Sequence, residues 1–492
     1  MKMGMIRRVA RAAGNKRFGM DRRRFLETTL AAGAAMLLPA RAGQASSKKP
    51  RVLVIGAGFG GLSAAQQLLL AGADVTVLEA RSRLGGRVFS SAKFLPGATV
   101  EMGAELIGSN HPVWMAQARR FGLELTEIPD DPAERSPILL GGRRYTGKEV
   151  AELWEALDAA MQRTIGDARK VNPEQPWKSL RAGELDRTSL AEVAAKWPVD
   201  AMVRTAALLV MSNDGAFRPQ TASYLGYLGT VAGGGFERFW EDSEVYRCLG
   251  GAQQLADQMG RETGDERIRL GTPAKMVEIQ EATVQVETAG GKTHEADAVV
   301  LAVPPTAWGK IDFRPKLGEE FQPHIGPAIK VLGEVKCPVW KNVGLSSYAV
   351  TDLEIGMTWQ GDIRPPSENS KGSCLVGFSG GSAATRFLQL APPQRRERYA
   401  EIMESLFSGY AKNAGQVAVQ AWPEDPWTQG GYCSPLLGQV TTTFPRLEEG
   451  VANRLFFAGE HASPSFYGYM EGALQSGVRA AKQVAKALNL AA

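Results

Sequence analysis

Three glycines near residue 56 have the spacing of a phosphate-binding turn. A short apolar run, residues 51–55, leads directly into Gly56, Gly58 and Gly61, and a helical pattern follows them. Gly56 permits a tight turn, Gly58 lets the backbone approach a pyrophosphate, and Gly61 lets the helix pack closely on the strand. The free N–H groups at the start of that helix favour phosphate. The pattern predicts a dinucleotide site but does not separate NAD from FAD.

An acid, two arginines and a further glycine extend this signature. A second strand-like run, residues 74–78, ends in Glu79, whose carboxylate can accept hydrogen bonds from a ribose. Arg81, Gly86 and Arg87 follow, and such residues suit a second approach to a diphosphate. The string resembles the flavin-containing amine oxidase family, which includes monoamine, polyamine and L-amino-acid oxidases. The resemblance implies that Glu79 holds the ribose of FAD and that the other three wrap its diphosphate.

The resemblance recurs in order along residues 50–485 and implies further contacts to FAD. One segment lies along the flavin ring, one strand contacts the adenine end, and the last segments surround the start of the final helix. The residues implied in this way are Gly103, Ala104, Glu105, Ala274, Trp427, Gly459, Glu460, Tyr469 and Met470.

Two residues are predicted to be catalytic. Lys310 aligns with the family lysine that holds a water near flavin N5, where a buried amine would relay protons or assist the reaction with O2. The alternative is a solvated lysine on a surface loop. Tyr469 aligns with one wall of the aromatic cage that guides an amine to the flavin and attracts its cation. The alternative is a core tyrosine beside the cofactor helix.

The segment 427–433 bears on how the flavin is attached. In monoamine oxidases, a cysteine after the Gly-Gly pair is bonded to the flavin, whereas here Tyr432 stands in that place. Cys433 falls where a second cage tyrosine is expected. The sequence therefore predicts non-covalent FAD and a cage with one of its two walls, and Tyr432 is a candidate substrate contact. A one-residue slip that brings Cys433 to the flavin remains open. Trp422 and Trp427 are expected beside the isoalloxazine.

The resemblance implies oxidation of a C–N bond in a mono-, di- or polyamine. Hydride passes to flavin N5, the imine is hydrolysed, and O2 becomes H2O2. L-Amino-acid oxidation is the principal alternative and needs a cation for the substrate carboxylate. No arginine follows soon after residues 103–108, and Glu105 suits a cationic substrate end, as in a diamine or basic amino acid. Arg204 or Arg247 can still approach from elsewhere.

Further alternatives concern the acceptor and the class of protein. A cytochrome or quinone in place of O2 would make the protein a periplasmic amine dehydrogenase. Desaturases of C–C bonds share the FAD signature, and a flavin-binding protein without turnover is a different class. Lys310 argues against a desaturase, and Lys310 and Tyr469 together argue against a protein without turnover.

The elements that position these residues predict an α/β fold, with a Rossmann-like FAD-binding domain interleaved with a mixed α+β substrate domain. A chain of 492 residues is long for one core. After a leader, three FAD-binding segments are predicted to alternate with two substrate segments, of which the first is helical. The leader is residues 1–45, the FAD-binding segments are 50–130, 246–310 and 421–492, and the substrate segments are 131–245 and 311–420.

The first 42 residues explain the basic character of the chain. They contain ten Lys or Arg against two acids, so the overall formal charge of +5 leaves the remainder net acidic, which argues against nucleic acid. Arg22-Arg23-Arg24-Phe25-Leu26, an Ala-rich stretch and an A-x-A site resemble a twin-arginine export signal. A periplasmic or secreted protein without stable membrane insertion is expected. The four cysteines and four histidines have no metal-ligand spacing, so no metal is expected, and a homodimer remains open.

Overall fold

The computed structural model describes residues 48–364 and 372–490. The predicted leader, residues 1–45, lies outside the described residues, so export stays a prediction. In the portion of the chain that is described, no helix combines the length and the apolar character needed to cross a bilayer.

A five-stranded parallel sheet lies under the glycine-rich turn. Its neighbouring strands all run parallel, and Val52, Leu53, Val54 and Ile55 are buried in the first of them, as expected for a sheet covered on both faces. The chain moves to one side of this first strand and then to the other, and such a switch point opens a ligand crevice. In spatial order the strands are Leu455–Phe457, Ala298–Leu301, Arg51–Ile55, Asp74–Leu78 and Ile268–Arg269.

Two helices cover the parallel sheet and meet through small residues. The first helix, Phe59–Leu70, starts directly after the glycine turn, and the last helix, Met470–Ala487, packs against it. A Cβ placed on Gly477 would lie 2.3 Å from the carbonyl oxygen of Gly60. This close contact brings the start of the last helix beside the glycine turn.

A seven-stranded sheet forms the second large layer. Its pairs are antiparallel except for one parallel pair. The strand Ala328–Val335 pairs on both of its edges, and Lys330 is buried within it. The strands in spatial order are Ala414–Ala421, Ala328–Val335, Ser373–Gly380, Met357–Gln360, Ala349–Thr351, Ile138–Leu140 and Arg143–Tyr145.

Smaller sheets connect these layers. One of them has four strands, one has three strands, and two are pairs of strands. Their strands are Thr293–Ala296, Val284–Thr288, Ala274–Ile279 and Asp312–Arg314; Asp362–Ile363, Ala98–Glu101 and Ser90–Leu95; Leu125–Glu127 and Tyr246–Cys248; Ile325–Gly326 and Tyr432–Cys433.

The remaining helices lie between residues 112 and 263 and after residue 339. Several bury aromatic and aliphatic side chains in a core shared with the seven-stranded sheet. They are Pro112–Phe121, Gly147–Gln162, Ile165–Ala168, Ala182–Arg187, Leu190–Ala194, Ala201–Gly215, Tyr224–Gly233, Glu237–Asp242, Gln253–Thr263, Val339–Asn342, Gly381–Leu388, Pro392–Leu406, Tyr410–Asn413 and Gln439–Glu449.

This architecture confirms the predicted α/β fold class, with a nucleotide-binding parallel sheet interleaved with a mixed second layer. The strands of the parallel sheet come from residues 51–78, 268–301 and 455–457. Those of the seven-stranded sheet come from residues 138–145 and 328–421. The domain boundaries themselves stay a prediction.

Candidate active site

One cleft collects most of the predicted site residues. It contains about 1440 Å³ of empty space, part of which is open to solvent, and it runs from residues 272–274 to the tyrosines before the last helix. Gly61 and Glu105 are not among its lining residues. The predicted residues that line it are Gly56, Gly58, Glu79, Arg81, Gly86, Arg87, Gly103, Ala104, Ala274, Lys310, Trp427, Tyr432, Gly459, Glu460, Tyr469 and Met470.

The three glycines of the turn do different things. Gly56 has a φ of +104° and lies where a Cβ would come within 2.9 Å of the Ala302 carbonyl oxygen. A Cβ on Gly61 would lie 1.9 Å from the Gly56 carbonyl oxygen, so Gly61 allows the helix to pack on the turn. Gly58 precedes the first helix at φ −75°, and its Cβ would meet nothing nearer than 3.9 Å. The open space beside Gly58 is where a ligand backbone can approach the helix N-terminus.

Glu79 lies at the carboxyl end of the second parallel strand with its carboxylate oriented by the backbone. One oxygen accepts from the Ala57 N–H at 2.7 Å and the other from the Arg81 N–H at 2.8 Å. Burial raises the pKa of Glu79, although the two N–H groups counter some of this shift. Each carboxylate oxygen has a second lone pair, so Glu79 can still accept from the hydroxyls of a ribose.

The two cleft arginines are each fixed by a carboxylate. Arg81 donates to both oxygens of Asp425, at 2.8 and 2.6 Å. Burial alone would raise the pKa of Asp425, but its hydrogen bonds and charge interaction with Arg81 lower it overall. Arg87 donates to Glu460 Oε1 at 2.7 Å, and Glu460 also accepts from the Gly468 N–H. Asp425, which no sequence pattern singled out, therefore holds one of the predicted diphosphate arginines in place.

These residues fit FAD. The oriented carboxylate of Glu79 suits the ribose of the adenosine. The open space beside Gly58, at the N-terminus of the first helix, suits the diphosphate. The other end of the cleft is lined by Trp422, Trp427 and the tyrosines, which suits a flat aromatic ring.

The prediction that Lys310 is buried is wrong. Lys310 ends a short 3-10 turn, is exposed at the cleft, and donates to the Pro426 carbonyl oxygen. Its ammonium lies 4.8 Å from the centre of the Trp427 ring. A lysine that ends a proline-rich turn can leave its charge in water, whereas burial without a carboxylate would be costly.

The buried lysine of the cleft is Lys330, which the sequence prediction missed. Its side chain is 3% exposed, and its ammonium donates to the Gly103 carbonyl oxygen at 3.0 Å and to Glu105 Oε2 at 2.6 Å. The sequence contained an indication of this, because Lys330 interrupts the apolar run of residues 328–333, and a charge in such a position needs a partner.

The prediction that Glu105 contacts substrate and cofactor is wrong. Its side chain is fully buried and outside the cleft lining. Its carboxylate is paired with Lys330, lies 2.8 Å from Arg247 Nε, and accepts from Trp359 Nε1 at 3.0 Å. Two cations and an indole already match this charge, so a substrate ammonium has no access to it.

The arginines considered for a substrate carboxylate are also engaged elsewhere. Arg247 pairs with Glu105 and donates to the Gln360 carbonyl oxygen at 2.8 Å. Arg204 donates to the Trp197 and Val199 carbonyl oxygens. Neither arginine lines the cleft.

Two tyrosines, instead of the expected one, line the ring end of the cleft. Tyr432 and Tyr469 both lie on it, and the Tyr432 hydroxyl donates to the Asp214 carbonyl oxygen. Successive side chains of a strand point to opposite faces, and Cys433 is accordingly fully buried and outside the cleft lining. It lines an adjoining cavity that also touches both tyrosines and contains about 450 Å³ of empty space, part of which is open to solvent. Burial raises the pKa of the Cys433 thiol well above its usual range.

Comparisons of the sequence and of the fold with known proteins lead to the same kind of protein. The family described as flavin containing amine oxidoreductase matches residues 59–485. A flavin-containing amine oxidase of Danio rerio is 27% identical over 459 residues, covering 88% of this chain and 85% of the relative. Among solved structures, putrescine oxidase bound to putrescine aligns with a TM-score of 0.79 at 24% identity, covering 89% of this chain and 99% of that one. Cyclohexylamine oxidase from Brevibacterium oxydans IH-35A gives a TM-score of 0.78 at 24% identity, covering 90% and 100%.

The glycine geometry separates a binding role from a folding role. Gly58→Ala adds a methyl group to open cleft space, so we expect FAD affinity to fall at least about tenfold. Apo-protein stability should change by no more than about 1 kcal/mol. The matched variant Gly61→Ala forces a methyl group against the Gly56 carbonyl oxygen and should destabilise the fold by about 1–3 kcal/mol or more. Flavin titration and denaturant unfolding measure the two effects. Equal unfolding midpoints for the two variants would contradict this assignment.

Proposed function

The chain belongs to the flavin containing amine oxidoreductase family, and we propose that within it the protein is an FAD-dependent oxidase of a C–N bond in an amine. The observation that carries the proposal is a single cleft that joins the glycine turn to an end lined by Tyr432 and Tyr469. When bound, FAD supplies the redox chemistry, since it accepts a hydride from the carbon next to nitrogen and passes two electrons to O2, which leaves as H2O2. Water then hydrolyses the imine to a carbonyl compound and ammonia or a smaller amine.

The tyrosines orient the amine in this proposal. Tyr432 and Tyr469 are both largely buried side chains with hydroxyl pKa values raised well above the usual range by burial, so they stay neutral. Their ring faces attract a cationic amine as it enters, and the dry surroundings favour its neutral form once bound. A neutral amine has the lone pair that drives hydride loss.

In this proposal Lys330, and not Lys310, is the lysine that holds a water near flavin N5. Its ammonium is buried on the Gly103 carbonyl oxygen, in the segment expected along the flavin ring. There it can hold a water by hydrogen bonding and provide a fixed positive charge where negative charge accumulates during turnover.

The charges of the cleft favour an amine over an amino acid. The arginines that line it are Arg81 and Arg87, and each is paired with a carboxylate. Within the described residues the cleft thus offers no arginine that is still available for a substrate carboxylate. An amino-acid substrate that used an arginine of the cleft for its carboxylate would need one of these pairs to break.

Non-covalent attachment of FAD belongs to the same proposal. Tyr432 lines the cleft beside Gly468, whereas Cys433 is fully buried and lines the adjoining cavity, not the cleft. We expect acid precipitation of the purified protein to leave the yellow flavin in the supernatant. A flavin that stays with the pellet after denaturation and washing would show a covalent bond.

The substrate class is tested by anaerobic mixing of the yellow protein with a panel of monoamines, diamines, polyamines and L-amino acids. We expect amines to bleach the flavin band near roughly 450 nm and neutral L-amino acids to leave it unchanged. Admission of O2 should restore the colour with formation of H2O2. Bleaching by L-amino acids alone would establish the alternative activity, and no bleaching by any compound would reject both.

The two lysines form a matched pair for kinetics. We expect Lys330→Met to slow flavin reoxidation by O2 at least roughly tenfold, because a fixed buried charge is lost. Lys310→Met removes an exposed ammonium and should change this rate less than about threefold. Stopped-flow absorbance after double mixing measures the step directly. A larger effect at Lys310 would reverse the assignment.

A further inference from the structure

Glu105 has an unusual place for a carboxylate, because it is fully buried behind the cleft wall. It touches Lys330 on one side and both Arg247 and Trp359 on the other. We propose that Glu105 is the positioning residue and counter-ion of Lys330, and that it sets the electrostatic potential at the flavin end of the cleft. This inference depends on one part of the proposed function, namely that the cleft holds FAD.

The hydrogen bonds fix where the ammonium lies. An ammonium has three N–H donors, and the Gly103 carbonyl oxygen and Glu105 account for two of them. The 2.6 Å contact to Glu105 is a short, charge-assisted bond. Because Lys330 also lines the cleft, its third donor has the cleft contents as its natural partner.

Glu105 is itself held from behind. The Arg247 guanidinium lies 2.8 Å from one oxygen, and the Trp359 indole donates at 3.0 Å. Arg247 is anchored in turn to the Gln360 carbonyl oxygen. The carboxylate therefore cannot rotate away from Lys330 without leaving a buried cation unmatched, which is costly.

Fold stability alone gives little reason for this arrangement. Buried ion pairs are often replaceable by apolar side chains at little cost in stability, and the surrounding strand Ala328–Val335 is otherwise apolar and well packed apart from Glu334. The pair lies instead where the cleft wall and the Gly103 segment meet. A role beside the bound flavin ring accounts both for the position of the Lys330–Glu105 pair and for the presence of charged groups there.

The neighbouring titratable groups determine the net charge. Lys330 and Arg247 are the cations, Glu105 is the matching anion, and Glu101 and Cys374 also interact electrostatically with Lys330. Burial raises the pKa of Glu101 to about 7, and burial raises that of the Cys374 thiol well above its usual range. Glu105 is therefore the main negative charge that balances Lys330.

The experiment is a double-mutant cycle on the flavin-loaded enzyme. Glu105→Gln keeps the shape but removes one negative charge, so the midpoint potential of the bound flavin should rise. Lys330→Met removes one positive charge and should lower the midpoint potential, and the potential of the double variant should be close to that of the wild type.

In stopped flow, Glu105→Gln should slow reoxidation by O2 about tenfold while the rate of hydride transfer from the amine changes less than about threefold. In the Lys330→Met background, Glu105→Gln should add less than about twofold.

Two further variants separate positioning from folding. Glu105→Asp keeps the charge and should restore potential and reoxidation towards wild type. Glu471→Gln is the matched control, since Glu471 is also fully buried but accepts from the Val113 and Trp114 N–H groups. It should lower thermal stability without changing the potential or the ratio of the two rates.

The outcomes distinguish this inference from the proposed function. If Glu105→Gln leaves the potential and the reoxidation rate unchanged, or if its effect on reoxidation persists in full in the Lys330→Met background, the inference is rejected while amine oxidation stands. If Glu105→Gln does not fold, Trp359→Phe, which removes one donor to Glu105, carries the test. A wild-type potential and a wild-type reoxidation rate in Trp359→Phe would reject the inference. A protein that binds no FAD would instead reject the proposed function.

Discussion

The approach of the first helix to the glycine turn is the constraint on which the rest of the molecule depends. Only a residue without a side chain fits at Gly61, where a Cβ would lie 1.9 Å from the preceding turn. This contact fixes the helix N-terminus at the carboxyl edge of the parallel sheet, where the strand order reverses. The last helix then packs on the first through Gly477. The tyrosine at its start is thereby placed in the same cleft as the turn.

Three cations that line the site are each paired with a carboxylate. Arg81 is matched by Asp425, Arg87 by Glu460 and Lys330 by Glu105. In a medium of low polarity an unmatched charge would destabilise the fold or lose its ionised form. The pairs therefore hold guanidinium and ammonium groups in position before any ligand enters, which lowers the reorganisation needed during turnover.

The sequence was sufficient for the fold class and for the dinucleotide end of the cleft, because local spacing determines both. The glycines after one strand and the acid after the next strand can be recognised from residues that lie close together in the chain. The end of the cleft that Tyr432 and Tyr469 line is formed by contacts between distant segments of the chain. Lys330 and Glu105, for example, are 225 positions apart in the sequence. The sequence prediction assigned the catalytic lysine to Lys310, and only burial in the folded chain distinguishes the exposed Lys310 from the buried Lys330. Asp425 was missed for the same reason, since its partner Arg81 is 344 positions away.

The order of strands in the parallel sheet has a consequence for biosynthesis. The strand Arg51–Ile55 is made early, but its neighbour Ala298–Leu301 and the edge strand Leu455–Phe457 emerge from the ribosome hundreds of residues later. A nascent chain thus carries the nucleotide turn long before it has the sheet and terminal helix that support it. Such long-range pairing is slow, so coenzyme capture belongs to the end of translation, and truncated products should be substrates for chaperones and proteases instead of partial enzymes.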